Sequence, residues 1–360
     1  MKKLLSIALA LVLIFALVGC ATQPVEPAAP AATPAAPEAP ATPEEPAAEE
    51  EPAAPPVDDD RPLEIAVVVK ITGIPFFNVM EDGVRRAAEE LGVNAFTVGP
   101  VDADPALQVR LIDDLIATGV DALVVVPNDA SVLEPVLLRA QEEGILVITN
   151  ESPGQVGADY NIELIDNRGF ALDATRAVAE AAGGEGEFVL FVGGLGVPLH
   201  NLWADYTLEY LAENFPNMTQ ATDRLPVGED VDLARTTTLD LIAAHPDLRL
   251  IIGYGSLGPI GAAVALRERD MIGDIVIGGT VIPSQAATHL QDGSITQGVL
   301  WNPADAGFAT VYAARFLLQG GNIADLDIPG LGRPLVTGPN DLAFDATLII
   351  TADNADDLGF

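Results

Sequence analysis

An α/β fold built on parallel sheets, in a chain long enough for two lobes, is what this sequence predicts, and three observations carry the prediction. Short runs rich in Ile and Val alternate with amphipathic stretches throughout residues 62–360. Glycines stand where the amphipathic stretches stop. The alternating region is about 300 residues long, more than one domain of ordinary size. Strand, helix, strand repeated this often requires right-handed crossovers between parallel strands.

The leading residues are of another kind. Lys2 and Lys3 precede an apolar run over 4–18, the charged and hydrophobic regions of an export signal, too short to span a bilayer. The run closes on Leu17-Val18-Gly19-Cys20, with the single cysteine of the chain. This resembles a bacterial lipobox, which implies that residues 1–19 are a signal peptide and that Cys20 carries the lipid; the alternative is an ordinary secreted protein with a chance cysteine. Either way no disulfide and no cysteine metal site holds the fold. Residues 20–61 are almost wholly Ala, Pro, Glu and Asp, with nothing larger than Val to bury, so they are expected to form a disordered, extended tether.

The net charge of −36 is not confined to the tether. Setting aside its ten acidic residues and one Arg, and the two signal lysines, 43 acidic and 14 basic residues remain in the body. Nucleic acid and anionic membrane faces, which need basic patches, are therefore not expected as partners.

In the body, β-branched runs at 65–69, 122–127, 145–149, 187–193, 248–254 and 274–280 are the pattern of strands buried on both faces. Helices are expected over 79–91, 106–118, 131–143, 169–182, 202–214, 231–244, 259–269 and 284–291, with apolar residues at spacings of three and four, as in Leu107, Leu111 and Leu115. Gly92, Gly119 and Gly144 follow the last turns of the first three, where a left-handed C-cap favours a residue without Cβ. Gly193-Gly194-Leu195-Gly196 follows a strand, but it lacks the full dinucleotide fingerprint and the lysine of a phosphate loop. No nucleotide cofactor is expected.

Ligands of doubly wound sheets settle outside the carboxyl ends of the strands. There the sequence presents Lys70 with Phe76 and Phe77, then Asn128 and Asp129, Asn150 and Glu151, Leu199 and His200 with Trp203, Tyr254 and Ser256, Thr280, and Trp301 with Asn302. Aromatic faces with amides and hydroxyls suit a small polar ligand that also has apolar faces. His200 has no neighbouring carboxylate in sequence to orient it, so hydrogen bonding to a ligand is expected of it and catalysis is not. His245 and His289 form no metal-ligand spacing with it.

Lys70 to Phe77, Val98-Gly99-Pro100 with Gln108, Leu326-Asp327-Ile328-Pro329-Gly330-Leu331-Gly332 and Asp353-Asn354 together resemble the type I periplasmic sugar-binding proteins of ABC importers, in the branch of the autoinducer-2-binding and rhamnose-binding proteins. The resemblance implies two Rossmann-like lobes joined by a three-strand hinge, with residues 62–164 plus 302–344 in the first and 165–301 plus 345–360 in the second. It implies a ligand contact for the lysine matching Lys70. The family's first-lobe aspartate is matched by Glu151, its second-lobe aspartate-glutamine pair by Leu199-His200, its proline and alanine by Tyr254 and Ser256, and the aspartate after its late tryptophan by Asn302. With two carboxylates replaced by Leu199 and Asn302, a different sugar such as a deoxy sugar is favoured over autoinducer-2. Lys70, Phe76, Phe77, Asn150, Glu151, Leu199, His200, Tyr254, Ser256, Thr280, Trp301 and Asn302 are thus the candidate ligand residues, with Trp203 read as core.

The function implied is a monomeric, lipid-anchored solute-binding protein outside the cytoplasmic membrane, handing a small carbohydrate to an ABC permease without chemistry. A sensing protein feeding a chemotaxis or two-component receptor is the alternative. An exported hydrolase would need a nucleophile-base pair or two carboxylates converging on the cleft, and the strand ends supply only Glu151.

Overall fold

The computed structural model describes residues 61–360; the signal, Cys20 and the tether as far as residue 60 lie outside the described residues. The body is built on two sheets. The first contains β1 (Glu64–Val68), β2 (Asn94–Val98), β3 (Ala122–Val125), β4 (Leu146–Thr149), β5 (Tyr160–Glu163), β12 (Leu335–Val336) and β13 (Asp341–Ala343), in the order β12-β13-β5-β4-β3-β1-β2. The second contains β6 (Glu185–Val192), β7 (Asn217–Gln220), β9 (Leu248–Gly253), β10 (Val276–Thr280), β11 (Gln297–Leu300) and β14 (Leu348–Ile350), in the order β14-β11-β10-β9-β6-β7, with β8 (Leu225–Pro226) pairing β6. Only the pairs β12–β13 and β11–β14 are antiparallel among the described strands.

Helices cover the sheets on both faces, and the burial of β1 shows how. Ile65 and Val67 face one apolar cluster with Val124 of β3, whereas Ala66 and Val68 face another with Leu123 and Val125. Successive side chains of a strand point to opposite faces, so an unbroken Ile/Val run is what a strand covered on both sides needs.

The first sheet carries α1 (Pro75–Leu91), α2 (Pro105–Thr118), α3 (Ala130–Glu142) and α9 (Pro303–Leu318); the second carries α4 (Asn167–Ala181), α5 (Pro198–Asn214), α6 (Val231–Ala244), α7 (Gly258–Glu268) and α8 (Pro283–Gln291). Gly92 and Gly119 end α1 and α2 in the left-handed conformation, at φ 67° and 74°. Asp104, Asp129, Asp166 and Asp230 cap the starts of α2, α3, α4 and α6 by accepting backbone N–H bonds. The chain passes between the sheets at 164–166, 301–302 and 344–347, so three crossings join the lobes. The carboxyl ends of both sets of parallel strands meet at these crossings.

Two helices begin earlier than periodicity indicated. Pro75 and Pro198 occupy the first turns of α1 and α5, where a missing N–H costs nothing. Phe76, Phe77 and His200 therefore lie on helices rather than in loops. The weakly patterned β2, β5, β7 and β13, and the largely buried α9, had no clear period to betray them.

Candidate functional site

Lys70 follows β1 and is 3% exposed. Its strand end is fastened from behind: buried Gln108 donates to the carbonyls of Val69 and Val126 at 3.2 and 2.8 Å, and Asn128 donates to the Lys70 carbonyl at 2.7 Å. The side chain then crosses the space between the lobes. Its Nζ lies 2.7 Å from Glu151 Oε2, in the loop after β4, and 3.7 Å from Glu229 Oε1, which precedes α6 in the second lobe. Burial alone would lower the Lys70 pKa, but the charges of Glu151 and Glu229 outweigh it and raise it. Burial raises the Glu229 pKa, and Lys70 only partly offsets this. The lysine of the first strand thus answers to two carboxylates.

His200, on the first turn of α5, completes this polar side. Its Nδ1 accepts from the Gly193 N–H at 2.9 Å, so in the neutral ring the proton sits on Nε2. Burial, followed by the charge of Lys70, holds its pKa well below the usual imidazole value. Nε2 lies 3.3 Å from Lys70 Nζ, and both are donors, so neither satisfies the other. They converge on one spot, which suits an acceptor oxygen on a ligand.

Much of the remaining lining is aromatic. Phe76 and Trp301 meet edge to face at 5.8 Å, Trp203 packs on Trp301 at 5.9 Å and stacks on His200 at 5.6 Å, and Phe77 lies 5.8 Å beneath Lys70 Nζ. Ile74, Leu300, Gly255, Ser256 and Thr280 close the walls. Gly255 has φ 115° and packs against the backbone of Gly228, and its N–H donates to Thr280 Oγ1 at 2.8 Å. This interlock of two second-lobe loops fixes Glu229, the residue after Gly228. Among the described residues, Ser256 Oγ and Trp301 Nε1 are buried polar atoms with no hydrogen-bond partner, and both belong to residues of this wall.

Of the twelve candidate ligand residues, Lys70, Phe76, Phe77, Glu151, His200, Ser256, Thr280 and Trp301 line one chamber. Four others stand outside its lining. Leu199 points into the second-lobe core and is fully buried, being on the other side of the helix from the chamber. Tyr254 is buried with its hydroxyl bonded to Thr207 at 2.5 Å, and burial pushes its pKa up to about 12 despite that bond. Asn150 donates to the Ile162 carbonyl at 2.6 Å, and Asn302 caps α9 by accepting from Ala304 N at 3.0 Å. Trp203 lies in the buried core as expected and lines the chamber as well, and Glu229 was not foreseen. The Trp203 position follows from Pro198, since it lies one turn beyond His200. Glu229 follows a two-residue strand that no periodicity reveals. It does supply the second acid opposite Glu151, but Lys70 stands between the two.

The chamber is about 20 Å3 in volume, room for a water rather than a sugar. The lobes are closed down on it. At the rim, Gly196 of the second lobe sits so close to Asp129 of the first that a Cβ on Gly196 would lie 1.9 Å from the Asp129 carboxylate. That carboxylate cannot swing away freely, because its other oxygen holds the Ser131 and Val132 N–H groups at 3.0 Å. A Gly196→Ala variant is accordingly expected to fold with its core intact yet fail to close, giving a larger radius of gyration by small-angle scattering; an unchanged radius with saturating ligand would refute this. Among the described residues no group of three His, Cys, Asp or Glu is arranged to hold a metal, and no helix is long and apolar enough to cross a membrane.

Two α/β lobes, three crossings and a buried chamber at the meeting of their strand ends define a hinged binding protein. The chain belongs to the periplasmic binding protein family, whose domain model matches residues 65–322. It is 24% identical over 260 residues to the ribose import binding protein RbsB of Bacillus subtilis, covering 71% of this chain and 82% of that protein. It is 23% identical over 276 residues to the D-allose-binding periplasmic protein of Escherichia coli, covering 73% and 87%. Among solved structures, LsrB from Clostridium saccharobutylicum in complex with AI-2 superposes with a TM-score of 0.76 at 20% identity, covering 82% of this chain and 99% of that one. An ABC transporter solute-binding protein from Clostridium phytofermentas with bound L-rhamnose gives the same TM-score and identity, covering 82% and 98%. These relatives are sugar-binding transport proteins, not enzymes.

Proposed function

We propose that this protein is the extracytoplasmic solute-binding lipoprotein of an ABC importer, anchored through Cys20, and that it takes a monosaccharide with an apolar face, such as a deoxy sugar, between its lobes. The lobes are 62–164 with 302–344 and 165–301 with 345–360. The supporting observation is the mixed lining of the chamber. Lys70, Glu151, Glu229 and His200 offer donors and acceptors, and Phe76, Phe77, Trp203 and Trp301 offer aromatic rings beside them. Unpartnered Ser256 Oγ and Trp301 Nε1 add two more polar atoms for ligand oxygens. Aromatic rings pack on the C–H surface of a sugar, and a missing hydroxyl leaves that surface wider.

Ribose, allose and rhamnose, each bound by a relative, are the first compounds to test. A thermal-shift screen over pentoses, hexoses, deoxyhexoses, sugar alcohols and autoinducer-2 is expected to give one clear hit, since a ligand at a hundredfold its dissociation constant adds about 2.7 kcal/mol. The hit is expected to vanish in Glu229→Ala, a residue sequence reasoning did not foresee. A panel with no hit would overturn the sugar reading.

A further inference from the structure

Glu151 has φ 63°, one of two non-glycine residues with positive φ among the described residues. Such a conformation is unfavourable for a side chain with a Cβ, and it persists only where the surroundings impose it. Those surroundings converge on Asn161 of β5. Its Oδ1 accepts from Thr149 Oγ1 at 3.1 Å and from Ser152 N at 3.2 Å, on either side of Glu151. An amide can accept from both only if its Nδ2 points the other way, and there Nδ2 donates to Glu163 Oε1 at 2.9 Å. Glu163 is 2% exposed, ends β5 and stands where the chain leaves the first lobe; its carbonyl accepts from Phe344 N on the third crossing at 2.9 Å. Its Oε2 is buried with no hydrogen-bond partner of good geometry among the described residues, the Glu151 backbone N–H being the group that approaches the carboxyl.

We propose that Glu163 is a positioning residue for the ligand site: its carboxyl accepts from Asn161 and fixes it, and Asn161 holds the strained loop that sets Glu151 against Lys70. Among the described residues no cation pairs directly with the carboxyl. The titratable groups facing it are Glu151, from the loop after β4, and Asp341, from β13, both acidic, with Lys70 and Glu229 beyond Glu151. Burial chiefly, opposed by the Asn161 bond and assisted by the charge of Glu151, pushes its pKa up to about 8. Ionisation in mildly alkaline solution therefore places a second negative charge behind Glu151 and repels it from the position in which the loop sets it against Lys70. The site is tied to pH through a group that does not touch the ligand.

This rests on reading the chamber as the ligand site, but it can be tested without a sugar. Both tryptophans of the chain, Trp203 and Trp301, are in the chamber wall, so intrinsic fluorescence of the full-length protein reports on it. Titrated from pH 5 to 9.5, the wild type is expected to show an emission step near pH 8. Glu163→Gln, which keeps an acceptor for Asn161 and cannot ionise, is expected to hold the low-pH spectrum throughout. Glu163→Ala is expected to show the displaced spectrum at every pH; should it fail to fold, the glutamine variant carries the test.

The stability readout has a fixed sign. Because the folded-state pKa is raised, the wild type loses stability as pH rises from the ordinary carboxylate value towards 8 and loses no more above it. The melting temperatures of wild type and Glu163→Gln should meet near pH 4 to 5 and separate by several degrees at pH 8 and above, the variant higher. An emission step that survives in Glu163→Gln, or a wild type with no step and no separation, overturns the proposal. A step abolished by glutamine beside a silent sugar screen would remove the proposed cargo and leave the role of Glu163 standing.

Discussion

Lys70→Met is expected to unfold at markedly lower denaturant than the wild type at pH 8, and to recover most of the difference at pH 4 to 5. The substitution keeps much of the stem and removes the cation from between Glu151 and Glu229, whose side chains are 3% and 10% exposed. Taking one partner from a buried pair costs about 3–5 kcal/mol, because the charge left behind has no compensation. Here two charges are left. Burial already raises the Glu229 pKa, and without Lys70 that carboxylate escapes by taking up a proton, so its penalty disappears once the unfolded chain is protonated as well. Adding Glu151→Gln to Lys70→Met should recover part of the lost stability at pH 8, Glu229 remaining unpaired, without restoring ligand binding. Urea titrations at both pH values decide the matter; a single variant as stable as the wild type at pH 8 would mean that Lys70 is not the counter-ion of this chamber.

That chamber was legible in the sequence where chemistry and strand ends coincide. Lys70 is visible because a lysine closing a buried Ile/Val run needs a partner, and Glu151, Ser256, Thr280 and Trp301 follow from the rule that loops at carboxyl ends meet. The fold was legible because strands buried on both faces leave unbroken Ile/Val runs, whereas two-faced helices leave apolar spacings of three and four. What remained hidden was orientation. Leu199 and His200 are neighbours on α5, yet only His200 faces the chamber, and nothing but the phase of the helix decides it. Pro198 sets that phase by starting the helix four residues before the apolar spacing does. Tyr254 and Ser256 likewise part company at Gly255, whose positive φ turns the chain. Glu229 was hidden because its position depends on Gly228 touching Gly255, a contact between segments far apart in the chain.

Gly83→Val is expected to destabilise the protein more than any surface substitution and to weaken ligand binding at a distance. Gly83 on α1 and Gly307 on α9 let the two helices approach until backbone meets backbone. A Cβ on Gly83 would lie 1.8 Å from the Ala304 carbonyl oxygen, and one on Gly307 would lie 2.2 Å from the Met80 carbonyl oxygen. Neither obstacle is a side chain that can turn aside, so the helices must separate. Overpacking usually costs about 1–3 kcal/mol, and a clash with backbone belongs at or above the top of that range. The functional consequence comes from what the helices carry. Phe76 and Phe77 stand on the first turn of α1, and α9 starts two residues after Trp301, so parting the helices also parts the edge-to-face contact of Phe76 with Trp301. Glycine to alanine at Gly144, where φ is 78° and nothing lies within 4 Å of the place a Cβ would occupy, supplies the comparison, since only backbone strain of about 1 kcal/mol is at stake there. Denaturant unfolding should rank Gly83→Val well below Gly144→Ala, and tryptophan emission should shift in the first variant alone. Equal stabilities would show that α1 and α9 have room to spare, and an unshifted emission would show that the aromatic wall does not depend on their contact.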